Sequence, residues 1–229
     1  MKRVLLSVLT LFLMSVVVYG QQEVTTFLGI PVDGSKSEMI QKLKEKGFMS
    51  DPEDPERLIG EFNGKDVYLS VATNKNKVWR IMVIEAHPMN EADVRIRFNN
   101  LCQQFLNNGK YSPMLYSNCE IPEDEDISYE MKIHNKRYEA AFYQRSVLWN
   151  DSVALSKAVQ PILLEKFTAE QLANPTEEIR VEMGVTKAVY ISKLQDKKVV
   201  WMTIANMSEN YYIIMYYDNK YNEANGEDL

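Results

Sequence analysis

The sequence predicts an α+β protein: antiparallel β-sheet with helices packed on one face, in repeated helix-then-hairpin units. Three observations predict it. Apolar residues recur at helical spacing in three separate stretches. Between them lie β-branched and aromatic runs that alternate with a period of two, the signature of half-buried strands. Asn63-Gly64, a strong hairpin turn signal, separates two such runs.

The first helix is read from "DGSKSEMIQKLKEKGF". Ser35 and Glu38 have capping-box spacing, and Met39, Ile40 and Leu43 form one apolar stripe. Gly47 supplies the left-handed residue that ends a helix, so Phe48 can fold back on its last turn. Pro52 and Pro55 then break the chain. Three strands follow: "RLIGEF", "DVYLSVAT" with Val67, Leu69 and Val71 on one face, and "VWRIMVIEA", which alternates.

The pattern then restarts. "MNEADVRIRFNNLCQQFLNNGK" is helical, with Val94, Phe98, Leu101 and Phe105 on one face and Cys102 at its edge. "ISYEMKIHNKRYEAAFYQ" reads as a hairpin turning at His134-Asn135-Lys136. A third helical region opens at Asn150-Asp151-Ser152. Pro161 should kink or divide it, because proline lacks an amide hydrogen and crowds the preceding turn. Thr168 caps a short second helix. Strands return as "EIRVEM", "KAVYISKL", "KVVWMTIANM" and "NYYIIMYYD". The globular region, 21–229, has candidate halves at 24–146 and 147–229.

The chain start bears on destination. Lys2 and Arg3 precede an apolar run from Val4 to Val18, then Tyr19-Gly20. This predicts a secretory signal peptide over residues 1–20, hence the periplasm or secretion. No later run is long enough to predict a transmembrane helix. The net charge is −6, and losing Lys2 and Arg3 makes the chain two charges more acidic. No basic cluster offers phosphate contacts, so nucleic acid is not an expected partner.

Chemistry-bearing motifs are sparse. Cys102 and Cys119 are the two cysteines, and an oxidising compartment makes them a candidate disulfide. It would close a loop of about 17 residues, worth roughly 3 kcal/mol. The acidic run Glu120, Glu123, Asp124, Glu125, Asp126 lacks the glycine and distal glutamate of a calcium loop and reads as a solvated turn. His87 and His134 have no nearby Cys or His, so neither is an expected metal ligand. No Gly-x-Ser-x-Gly or phosphate-cradling loop occurs, and no cofactor or enzyme activity is expected. Tyr212, Tyr216 and Tyr217, in a strand apolar on both faces, are the candidate interface.

The segments "TFLGIPVDGSKSEMIQKLKEKGF", "IPEDEDISYEMKIHNKRYEAAFYQ" and "YYDNKYNEANGEDL" resemble a family of exported proteins from Bacteroidetes-type bacteria. The resemblance spans nearly the whole chain after the leader. It implies export and one architecture, and transfers no functional residue. Together these readings favour a non-enzymatic envelope or secreted module that binds a protein or peptide through its sheet. The alternative is a small-molecule or lipid carrier with its ligand between helices and sheet.

Overall fold

The computed structural model describes residues 22–114, 119–208 and 210–226. The expected signal peptide lies outside these residues. In chain order the described elements are β1 (Thr26–Phe27), β2 (Ile30–Pro31), α1 (Lys36–Glu45), β3 (Met49–Ser50), β4 (Arg57–Phe62), β5 (Lys65–Asn74) and β6 (Lys77–Glu85). Then come α2 (Glu91–Asn107), β7 (Tyr111–Pro113), α3 (Ile127–Ile133), β8 (Glu139–Gln144), α4 (Ser152–Leu164), α5 (Ala169–Ala173), α6 (Glu177–Gln195), β9 (Lys198–Met207) and β10 (Asn210–Asn219).

β1 and β2 form a small hairpin. The other eight strands make one antiparallel sheet in the order β3-β4-β5-β6-β10-β9-β8-β7. Two meanders, β3 to β6 and β7 to β10, therefore meet at their last strands. Each follows one helix, α1 or α2. The expected helix-then-hairpin unit, about three times over, is not what forms: the unit is helix then four strands, seen twice, with α3 to α6 inserted in the second.

α1 and α2 cover the same face. α1 packs on β5 and β6, and α2 on β10 and β7. Their stripes, Met39 and Leu43 from α1 and Val94, Phe98, Leu101 and Phe105 from α2, enter one core with Leu69, Val83, Met215 and Met202. The last four sit side by side in register across β5, β6, β10 and β9. The capping box forms as expected: the Glu38 amide donates to Ser35 Oγ at 3.3 Å, and the Ser35 amide donates to Glu38 Oε2 at 3.1 Å.

Several local expectations are corrected. Residues 127–133 are helix α3, not a strand. Asp126, the last of the acidic run, accepts the Tyr129 amide at 2.7 Å as N-cap, and Asn135 makes the left-handed exit at φ 51°. Residues 177–195, expected as two strands, are the single helix α6. Their β-branched residues suggested strands. Thr176 caps the segment, Glu177 and Glu178 fill the first turn and Lys193 the last, matching the helix dipole. The segments "VYLSVATNKNKVWRIMVI" and "VYISKLQDKKVVWMTIAN" share residues but not structure: the first is the β5–β6 hairpin, the second the end of α6 and β9. Pro161 does not divide α4, which runs unbroken from Ser152 to Leu164.

The regular alternation expected in β6 is also broken. Val78 pairs with Thr73 and Arg80 with Ala72, so Trp79 is an extra residue in a β-bulge. The bulge lets Val78, Ile81 and Val83 all reach the core, and it re-aims Trp79 and Arg80. No helix among the described residues is long and apolar enough to cross a membrane.

Candidate functional site: the second face of the sheet

Residues of the other strand parity make the face opposite α1 and α2. Tyr68, Met82, Ile84, Trp201, Tyr212 and Tyr216 remain partly exposed there, whereas their neighbours of core parity are buried. A strand face that keeps large apolar side chains partly in water is available to a partner.

The middle of this face is a built cluster. Register places Ala72, Arg80, Asp218 and Val199 in one row, and Ser70, Met82, Tyr216 and Trp201 in the next. Arg80 donates from Nε to Asp218 Oδ1 and from Nη2 to Oδ2, each at 2.6 Å. Trp201 Nε1 donates to the same Oδ2 at 3.0 Å. Asp218 is fully buried beneath them. The Trp201 and Tyr216 rings stack with centroids 4.0 Å apart and an interplanar angle of 16°. The Arg80 guanidinium lies 4.2 Å from the Trp79 ring and 4.7 Å from the Tyr216 ring. Towards the β4 side, Arg57 repeats the device: it lies 4.0 Å over Tyr68 and donates to Asp51 at 2.6 Å. Each cation is thus held by its own carboxylate and spread over aromatic faces.

Of the three expected interface tyrosines, Tyr212 and Tyr216 lie on this face. Tyr217 does not. It is 4 % exposed, turned into the core with its ring 4.8 Å from Phe27. Strand alternation is the reason, since Tyr217 has the parity of Ile213 and Met215. The sequence reading missed Trp79, Arg80, Trp201 and Asp218. Only Trp201 carried a local signal, as a Trp on the non-core parity of β9. Trp79 has the parity of core Ile81 and Val83 and is re-aimed by the bulge, and the cluster becomes a site only once β6, β10 and β9 are neighbours.

The expected disulfide is not formed. Cys102 and Cys119 are free thiols, and the two cysteines lie 4.0 Å apart, hydrogen-bonding range rather than the roughly 2 Å of a covalent S–S bond. Cys102 points from the core side of α2, where helix packing fixes it. Burial pushes both thiols above their ordinary pKa, so they are protonated at neutral pH and poor nucleophiles. The histidines lie apart from them: His87 Nε2 is 3.1 Å from Asp66 and His134 Nδ1 2.9 Å from Glu130. Among the described residues no three His, Cys, Asp or Glu side chains gather as a metal-binding group.

The acidic run is structural rather than merely solvated. Besides the Asp126 cap, Glu125 accepts hydrogen bonds from Lys136 and Tyr138. Burial raises its pKa, but these two bonds together with the Lys136 and Arg95 charges outweigh that and hold the carboxyl below its ordinary value. Arg95 of α2 donates to the Glu125 backbone oxygen at 2.7 Å, and the Asn99 side chain bonds the Ile121 backbone in both directions at 2.9 Å. Family models, curated proteins and solved structures give no match to this chain.

Proposed function

We propose that this is an exported, non-enzymatic module that binds a protein or peptide on the second face of its sheet. The observation that carries the reading is the Arg80–Asp218–Trp201–Tyr216 cluster at the centre of that face. Aromatic and arginine side chains are enriched at interfaces and dominate their energetics. Here they are already ordered by a buried carboxylate, so little rotamer freedom is lost on binding. Six strands at about 4.8 Å spacing span roughly 30 Å, enough flat surface for most of one side of a standard interface. The acidic net charge favours a partner that is not itself strongly acidic.

The test is site-specific photocrosslinking in the native envelope. A photoreactive residue at Tyr212 should capture one defined protein, and the same probe at Lys42, exposed on α1, should not. Trp201→Ala should abolish the Tyr212 adduct. Equal capture from both positions, or capture that survives Trp201→Ala, refutes the reading.

A further inference from the structure

A cleft of about 360 Å³ opens on the helix-covered side of the sheet, between α2, the β4–β5 hairpin and β10. Leu101, Met215 and Tyr217 form its floor, each 4 % exposed or less. The rings of Phe62, Phe105 and Tyr111 wall it. Its rim carries amides: Asn63, at the hairpin tip, donates from Nδ2 to Gln104 Oε1 of α2 at 2.8 Å, and Asn108 stands beside them. Glu61 is the one charged residue among the described lining residues, and Arg97 reaches only the backbone oxygen of Asn63 at the rim, at 3.4 Å. Leu28 sits at the edge, 40 % exposed, in the left-handed region at φ 50°. A branched apolar residue is rarely placed there, and strain of this kind collects at ligand clamps.

We propose that this cleft binds a small neutral aromatic molecule of about two rings, with its polar end at the amide rim. The size follows from volume: a cavity of about 150 Å³ accepts one benzene ring, and this one is a little over twice as large. The ring character follows from the four aromatic side chains, which offer stacking and edge contacts. The neutrality follows from the rim. A carboxylate or phosphate head would be desolvated beside Glu61 with no cation among the described lining residues to receive it, so fatty acids and phospholipids are the wrong class. The site is separate from the Arg80 cluster, which lies on the opposite face.

Prodan, a neutral naphthalene bearing a ketone whose emission shifts to the blue in apolar surroundings, tests the proposal on the mature protein. It should bind saturably at one site per chain. Gln104→Trp, which puts an indole in the mouth from an exposed helix position, should weaken binding at least tenfold, as should Asn108→Trp if the first variant folds poorly. Asn107→Trp, outside the cleft, and Thr203→Ala, on the other face, should leave it unchanged. The anionic 8-anilinonaphthalene-1-sulfonate should bind at least tenfold more weakly than prodan. No saturable binding, binding indifferent to Gln104→Trp and Asn108→Trp, loss on Asn107→Trp or Thr203→Ala, or tighter binding of the sulfonate each overturns it.

Discussion

Arg80 and Asp218 are 138 residues apart in the chain and joined by two parallel hydrogen bonds of 2.6 Å across the β6–β10 pairing. The carboxylate is fully buried and the guanidinium is its lid. Removing Arg80 leaves the buried carboxylate with only Trp201 Nε1 at 3.0 Å and the Lys220 ammonium at 3.8 Å, a poorer set of partners than the bidentate guanidinium. Breaking a buried pair this way is far costlier than the pair is worth. Arg80→Leu should therefore lower stability by about 3–5 kcal/mol, measured as a drop in urea midpoint at constant slope. A loss under 1 kcal/mol would mean Asp218 finds water or another partner.

Gly60 is a position of close approach. A Cβ built there lies 2.5 Å from Phe48 Cδ1, on the ring that closes the end of α1. Gly60→Ala should cost about 1–3 kcal/mol through overpacking. Gly60→Ala with Phe48→Leu should lose less than the sum of the two single changes, a coupling that urea denaturation of all four proteins would read.

Alkaline pH should destabilise the fold. Burial raises the pKa of Tyr217, and of the Cys102 thiol, in the folded state. The unfolded chain releases these protons first, so stability is complete below the unfolded values, 9.0 for the thiol and 10.0 for tyrosine, and falls as pH rises past them. Unfolding curves from pH 8 to 11 should show the decline, and Tyr217→Phe should make it shallower above pH 10. An identical slope in that variant counts against the assignment.

Glu125 acts at the acid end with the opposite sign. Its folded pKa is lowered, so its contribution is present above the ordinary value of 4.5 and is lost as pH falls through the folded value. Glu125→Gln should cost about 1–2 kcal/mol at pH 7 and lose less stability than the parent below pH 4.5. Parallel acid titrations of stability in the two proteins would sink the idea.

The thiols give a labelling prediction. Cys119 is half-buried and Cys102 fully buried, and both have raised pKa values. Iodoacetamide at pH 7 should modify Cys119 first, both should react more slowly than free cysteine, and two thiols should titrate after unfolding without reductant. Fewer than two would mean that the pair oxidises.

What the sequence could tell depended on range. α1 and the alternation of β5 were legible because caps, turn residues and periodicity are local: Ser35, Glu38 and Gly47 announce one, and Val67, Leu69 and Val71 the other. α6 misled because Ile179, Val181 and Val185 carry β-propensity, while the Thr176 cap that decides its state sits outside the run. The site was half legible. Parity put Tyr212 and Tyr216 on one face, yet nothing local says that β10 lies between β6 and β9, and only that adjacency brings Arg80, Trp201 and Asp218 together.

A central strand is also the last in sequence among the described strands of the sheet. β10 ends at Asn219, and it alone bridges the two meanders, pairing with β6 on one side and β9 on the other. Until it has emerged, the earlier strands can form only partial sheets with raw edges, and closing the seam means joining residues as distant as Ile84 and Ile214. Such high contact order makes folding slow and late. A chain made N-terminus first would wait for β10 before its sheet had a middle, and a truncation that removed residues 210–219 would leave two sticky halves open to proteolysis and aggregation.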